Sequence, residues 1–128
     1  MSEKESSFKE KFRIALNSTV KVISDDYKID KENKNEKNEL KNSNLFEIEN
    51  LSSKKDFIRL RAEADSFALK KKFSNLKIYN KNLPLIISCK TLYDIAEKTR
   101  YEILGCKMLK GIETNLKENY LQKIDLKR

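Results

Sequence analysis

A mainly α fold, about four helices packed as a small bundle, is what this sequence predicts. Three observations lead there. Four stretches repeat their apolar residues at helical spacing. The one proline, Pro84, and the two glycines, Gly105 and Gly111, fall between or near those stretches. The remaining internal segment, residues 30–53, opens on a low-complexity run with almost nothing to bury. One short β-hairpin flanking a disordered loop is the only strand structure the pattern allows.

The first helix is expected over Phe8 to Ser24. Phe8, Phe12, Ala15 or Leu16, Thr19 and Ile23 recur along one face, with Lys9, Arg13 and Lys21 elsewhere. Ser6 or Ser7 could cap it. From Asp30 to Asn44 the only apolar residue is Leu40, and lysines balance acids. Such a stretch cannot bury enough surface to order itself. Tyr27-Lys28-Ile29 and Leu45-Phe46-Glu47-Ile48 alternate on either side and could pair across it.

The second helix, Lys54 to Ser74, is apolar over a wide arc. Placed at about 100° per residue, Phe57, Leu60, Ala64, Phe67 and Ala68 form one stripe, and Ile58, Ala62, Leu69 and Phe73 another. Arg59, Glu63, Ser66 and Lys70 share a narrow polar face. Arg61, Asp65 and Lys72 lie between the stripes, so Arg61 and Asp65 read as a partly buried ion pair. A helix of this kind belongs at the centre of a fold.

Asn80 to Pro84 breaks the next turn. A third helix is expected from about Ser88 to Leu104, with Leu92, Ala96, Thr99 and Ile103 on its core side beside Cys89 and Tyr93. Arg100 falls within that arc, Glu97 at its edge, and Asp94, Lys98 and Tyr101 face away. Gly105 should end or bend this helix. A fourth, from about Cys106 to Gln122, would bury Met108, Leu109, Ile112 and Leu116. Gly111 inside it costs roughly 1 kcal/mol against alanine, which suggests close packing or a kink. The chain thus divides into an N-terminal helix (1–29), a loop with its optional hairpin (30–53) and a helical core (54–128).

With 128 residues this is one domain, 38% hydrophobic and 38% charged. No apolar run approaches the roughly 20 residues of a membrane span, and the charged start lacks a signal peptide's apolar stretch. A cytoplasmic protein is expected. Without histidine there is no histidine base or His-based triad. Two lone cysteines make neither a disulfide framework nor a zinc site, and both read as small buried residues. The glycines do not form a phosphate-binding loop. Pairs such as Glu97 and Glu102 on a solvated helix ordinarily make salt bridges. No catalytic, metal or cofactor site is expected in this segment.

The net charge of +8 raises a second possibility, a small basic helical nucleic-acid-binding or adaptor protein. Only five of the 28 basic residues are arginine, the better phosphate fork. Twelve isoleucines stand against two valines, beside twelve asparagines, so A/T-rich codons account for much of the lysine. The surplus is local: residues 54–90 hold ten basic and three acidic groups, +7 of the +8. Its peak is Lys70-Lys71-Lys72, a basic face suited to an acidic partner surface.

The second half resembles a known family. Leu60-Arg-Ala-Glu-Ala-Asp-Ser-Phe-Ala-Leu-Lys70 is similar to the RG-x-AD-S-x-A-L-R segment in the N-terminal region of the CobT subunit of the aerobic cobaltochelatase. Leu92 to Leu116 resembles that family's F-D-A-x-E-Q-A-R-x-E-A-x-G-x-x-x-M-x-G-V-x-x-N-L, with matches at Glu97, Arg100, Glu102, Gly105, Gly111, Asn115 and Leu116. Phe12 to Ile23 is similar to the family's opening helix. Ala62 stands where the family usually has glycine, and Phe73-Ser74 replaces a His-Asp pair.

The resemblance implies cobalamin biosynthesis. In that family, a large corrin-binding subunit inserts cobalt into hydrogenobyrinic acid a,c-diamide. An AAA+ subunit hydrolyses ATP with magnesium, and the CobT-type subunit assembles with it. On this reading, residues 54–128 are the core of a CobT-like N-terminal assembly domain. The family's acidic linker and von Willebrand factor A-like domain are absent from the sequence, as in a fragment or a split gene. Arg61, Asp65, Glu97, Arg100 and Glu102 become candidates for structural or partner contacts, and Lys70 and Lys71 for docking. A buried ionic cluster predicts that Arg100→Ala costs roughly 3–5 kcal/mol.

Overall fold

The computed structural model describes residues 3–26 and 53–127. Five helices account for most of them: α1 (Glu3–Ser24), α2 (Lys54–Phe73), α3 (Leu76–Lys81), α4 (Ile87–Met108) and α5 (Lys110–Asp125). No strand occurs among the described residues. Both arms of the expected hairpin, Tyr27 to Ile29 and Leu45 to Ile48, lie outside them.

α2 is the central element, as its wide apolar arc requires. It packs against α1 on one side and against α4 and α5 on the other. Leu60, Ala64, Ala68 and Leu69 are fully buried, and Ala62 nearly so. Three alanines on one helix let neighbouring backbones come close, while the two leucines fill the space between. Asp56 fixes the start of α2, its carboxylate accepting the Ser53 backbone N–H at 3.0 Å and the Ser53 hydroxyl at 3.1 Å. At the other end Ser74 turns extended and donates its N–H to Lys70 O.

α1 contributes Leu16, Val20 and Ile23 to the core. It begins five residues before the expected Phe8, so Ser6 and Ser7 sit within it rather than capping it. Of the alternatives at the third position, Leu16 is the buried one. Thr19 is exposed and satisfies its hydroxyl on Ala15 O at 2.9 Å. Phe12 packs edge-on to Phe57 at 4.9 Å between centroids, which ties α1 to the first turn of α2.

The single turn and a half of α3 adds a helix to the expected four. Asn75 caps it, accepting N–H groups from Lys77 and Ile78. Tyr79 holds it to α4: its hydroxyl donates to Asp94, and Tyr93 Oη donates to Tyr79 O at 3.3 Å.

α4 departs from expectation in two ways. It runs through Gly105 to Met108, and the chain turns at Leu109, whose extended backbone joins α4 to α5 in one residue. Gly105 supplies space instead of an ending: a Cβ there would lie 2.5 Å from Leu69 Cδ2 and 2.9 Å from Leu69 Cγ. The buried face of α4 is also the one expected to face away. Tyr101, Glu102 and Gly105 are its buried residues, whereas Leu92, Ala96, Thr99 and Ile103 are exposed. Periodicity shows that an apolar stripe exists; it does not say which face the glycine lets closest to α2.

In α5, Ile112 and Leu116 reach the core as expected, but Met108 and Leu109 before it are partly exposed. Gly111 has no atom within 4 Å of where a Cβ would stand, so close packing does not explain it; it lies two residues past the extended Leu109 at which the chain turns from α4 into α5.

Candidate functional site

The polar residues singled out by the sequence gather on the seam where α2 meets α4 and α5. Asp65 is buried, at the centre of the α2 arc, and accepts Asn115 Nδ2 of α5 at 2.7 Å. Burial raises its carboxyl above the ordinary 3.8, against the opposing pull of the Asn115 hydrogen bond and the Arg61 charge.

One position on, Ser66 donates to Glu102 of α4 at 2.7 Å, and Tyr120 of α5 donates to the other oxygen of the same carboxylate at 2.6 Å. Glu102 is buried and receives a donor from each neighbouring helix, with Lys98 Nζ 3.9 Å away. Burial first, then the carboxylate beside it, pushes the Tyr120 phenol up, so that it keeps the proton it donates. Ser66 is therefore not part of a solvated polar face. Its partner lies thirty-six residues away, a distance at which helical spacing in α2 is silent.

A third group closes the end of α2. Glu97 Oε1 accepts the Ser74 hydroxyl at 2.9 Å, and Arg100 Nη2 donates to Phe73 O at 2.9 Å. Arg100 is also paired with Glu97 at 2.6 Å. Helix ends leave carbonyls without partners, and here a guanidinium from α4 supplies one. The Arg100 hydrogen bond holds the Glu97 carboxyl below its ordinary range.

Two expected core charges are corrected. Arg100 has 47% of its side chain exposed, so it is a surface clasp and not a buried ion. Arg61 is exposed too, and acts on Asp65 only through longer-range attraction. Its long aliphatic stem carries the guanidinium to water from an arc position that a shorter side chain could not leave. The partner that neutralises the burial of Asp65 is the Asn115 amide, not the Arg61 charge.

Lys70 and Lys71 are exposed, Lys71 lying 5.3 Å from the Phe67 ring centroid. Lys72 is half-buried and pairs with Asp25 at the end of α1. All three lie in the last turn of α2, where positive charge complements the helix dipole. Cys89 is exposed, contrary to expectation, while Cys106 is half-buried and its thiol pushed up by burial. Among the described residues no group of three His, Cys, Asp or Glu side chains could hold a metal ion, and no helix is long and apolar enough to cross a membrane.

Chemically this seam binds helices to one another. Every buried side-chain nitrogen or oxygen among the described residues has a hydrogen-bond partner. Fold and seam together define a helical packing domain whose internal polar groups specify how three helices meet. The family follows from the comparison of sequences: residues 6–128 match the family model described as Cobalamin biosynthesis protein CobT, and the chain belongs to that family. No curated protein and no solved structure matched it.

Proposed function

We propose that this chain is the N-terminal assembly domain of the CobT-type subunit of an ATP-dependent aerobic cobaltochelatase. Membership in the family ties it to cobalamin biosynthesis. The finer reading rests on one observation. Seven of the residues that carry the family resemblance, Asp65, Ser66, Glu97, Arg100, Glu102, Gly105 and Asn115, hold α2 to α4 and α5, while Arg61 is exposed and a Cβ at Gly111 would meet nothing. A motif spent on internal packing builds a scaffold.

On this reading the cobalt ion and the corrin are the complex's substrates, handled by a large subunit. ATP and magnesium belong to an AAA+ subunit, and this chain joins the assembly in the cytoplasm. The exposed Lys70 and Lys71 at the end of α2 are the docking candidates, because a basic cluster favours an acidic surface. Co-expression with the AAA+ subunit tests it. Lys70→Glu with Lys71→Glu should reduce co-purification while leaving the thermal melt of the domain in place. Undiminished recovery of the AAA+ subunit with the doubly reversed chain would count against the docking role.

A further inference from the structure

No residue from Asn75 to Arg100 is buried, so α3 and the first turns of α4 lie outside the core. Tyr79 and Tyr93 pair their rings at 5.1 Å between centroids, which sets α3 beside α4 as a short helical hairpin. The residues between those tyrosines form its outer end. There Leu85, Ile86 and Ile87 are 94%, 66% and 79% exposed, three large aliphatic side chains in succession. Leu76 and Ile78 of α3 are exposed as well. An apolar cluster of this kind marks a surface that leaves water on meeting something else.

Charge around this tip is of one sign. No acidic residue occurs between Asp65 and Asp94, against six lysines. Lys81 and Lys90 stand between the tyrosine pair and the tip, Lys77 lies on α3, and Asp94 is met by the Tyr79 hydroxyl. Outward along the hairpin the order is tyrosines, lysines, bare aliphatics. Residues 27–52, with six acidic against five basic groups, offer the tip little opposite charge of their own. The groove of about 600 Å³ between α4 and α5 differs: Lys98 and Lys117 line it with Glu102 and Glu113, so it favours neither sign.

We propose that the tip of the α3–α4 hairpin inserts into the surface of an anionic lipid bilayer. The aliphatic side chains enter the boundary of the acyl layer and the tyrosines suit the headgroup level. The lysines lay their stems along the apolar layer and carry their charge to the phosphates. A protein groove takes its anchors from one helix face, at i, i+3, i+4 and i+7. Leu85, Ile86 and Ile87 are consecutive and splay in different directions, so a fluid surface receives all three where a rigid one receives one. Nucleic acid would answer the lysines and leave the aliphatics in water. A second copy in a two-fold pairing would set the lysines against their own kind. The proposal is separate from the docking role of Lys70 and Lys71, and it holds whichever complex the chain serves.

Flotation of the full chain with lipid vesicles tests it, using phosphatidylcholine alone and phosphatidylcholine with about 30% phosphatidylserine. The chain should float with the anionic vesicles and not with the neutral ones. Leu85→Ser with Ile86→Ser should abolish flotation, and Lys81→Glu with Lys90→Glu should weaken binding at least about tenfold. Lys107→Glu with Lys117→Glu makes the same change of net charge at exposed residues elsewhere and should weaken it far less. The chain has no tryptophan, so Leu85→Trp supplies a single reporter whose emission should shift to the blue on the anionic vesicles. Circular dichroism checks that each variant folds. Flotation that survives loss of the aliphatics, equal effects of the two lysine pairs, an unshifted Leu85→Trp emission or no flotation at all would overturn the proposal. Without flotation, duplex DNA binding lost on reversal of Lys81 and Lys90 would assign the tip to nucleic acid, and a dimer lost with Leu85 and Ile86 would assign it to a second copy.

Discussion

Alanine at Gly105 and alanine at Gly111 are the same chemical change on neighbouring helices, and the structure gives them opposite signs. At Gly111 the new methyl meets nothing within 4 Å, and the backbone is not in the left-handed region. Only the helix preference acts, and it favours alanine by up to about 1 kcal/mol. At Gly105 the same preference applies, but the methyl would overlap the end of Leu69, which is fully buried on α2. Either Leu69 leaves its rotamer or α2 and α4 separate, at roughly 1–3 kcal/mol. The net result is a loss of about 1 kcal/mol, up to 2. Urea unfolding followed by far-UV circular dichroism measures both. Leu69→Ala sharpens the comparison. Alone it should cost about 2–5 kcal/mol. In that background Gly105→Ala has room and should become neutral or stabilising, a coupling of about 1–3 kcal/mol. If Gly105→Ala stabilises the chain with Leu69 intact, as Gly111→Ala should, the close approach of α2 and α4 is refuted.

Arg100→Ala removes an exposed ion pair and a hydrogen bond to Phe73 O, so it should cost about 1 kcal/mol, not the 3–5 kcal/mol of a buried charge; a measured loss above 3 kcal/mol would restore the buried cluster. Asp65 governs a pH dependence. Its folded carboxyl titrates above the ordinary 3.8, so its contribution to stability is full below that value and is lost as pH rises through the folded one. Asp65→Asn keeps an oxygen for Asn115 Nδ2 and removes the titration. Its stability relative to the parent should therefore grow between about pH 3.5 and pH 7, and a constant difference in urea midpoints would contradict the assignment.

Much of the fold is legible in the residues themselves. The wide apolar arc of α2 announces a central helix because a two-sided stripe has no other way to leave water, and Asp65 within it is buried as its position demands. The polar seam is not legible, because its bonds join residues such as Ser66 and Glu102, or Asp65 and Asn115, that no local period relates. Arg100 and Arg61 mislead for a different reason. A helical wheel assigns directions to Cα positions, and a side chain with four bonds of reach can end far from where its Cα points. The face of α4 is the plainest reversal. Leu92, Ala96, Thr99 and Ile103 are a true apolar stripe, but the core chose the side with Gly105, where the backbones can approach.

That reversal is what makes α4 informative. A helix that packs through Tyr101, Glu102 and Gly105 has placed a carboxylate inward and several large apolar residues outward, the inverse of what burial alone would select. The inward carboxylate is tolerated because Ser66 and Tyr120 reach it from both neighbours. The outward isoleucines have no such compensation within the described residues, and an uncovered stripe beside a groove is the usual mark of a surface that meets another. Glu102 and Tyr120 belong to both features: they close the seam and line the groove. Substituting either would disturb the packing of α2, α4 and α5 together. Ile95 and Lys117 line the groove without entering the seam, so substitution there should leave the packing of the three helices in place.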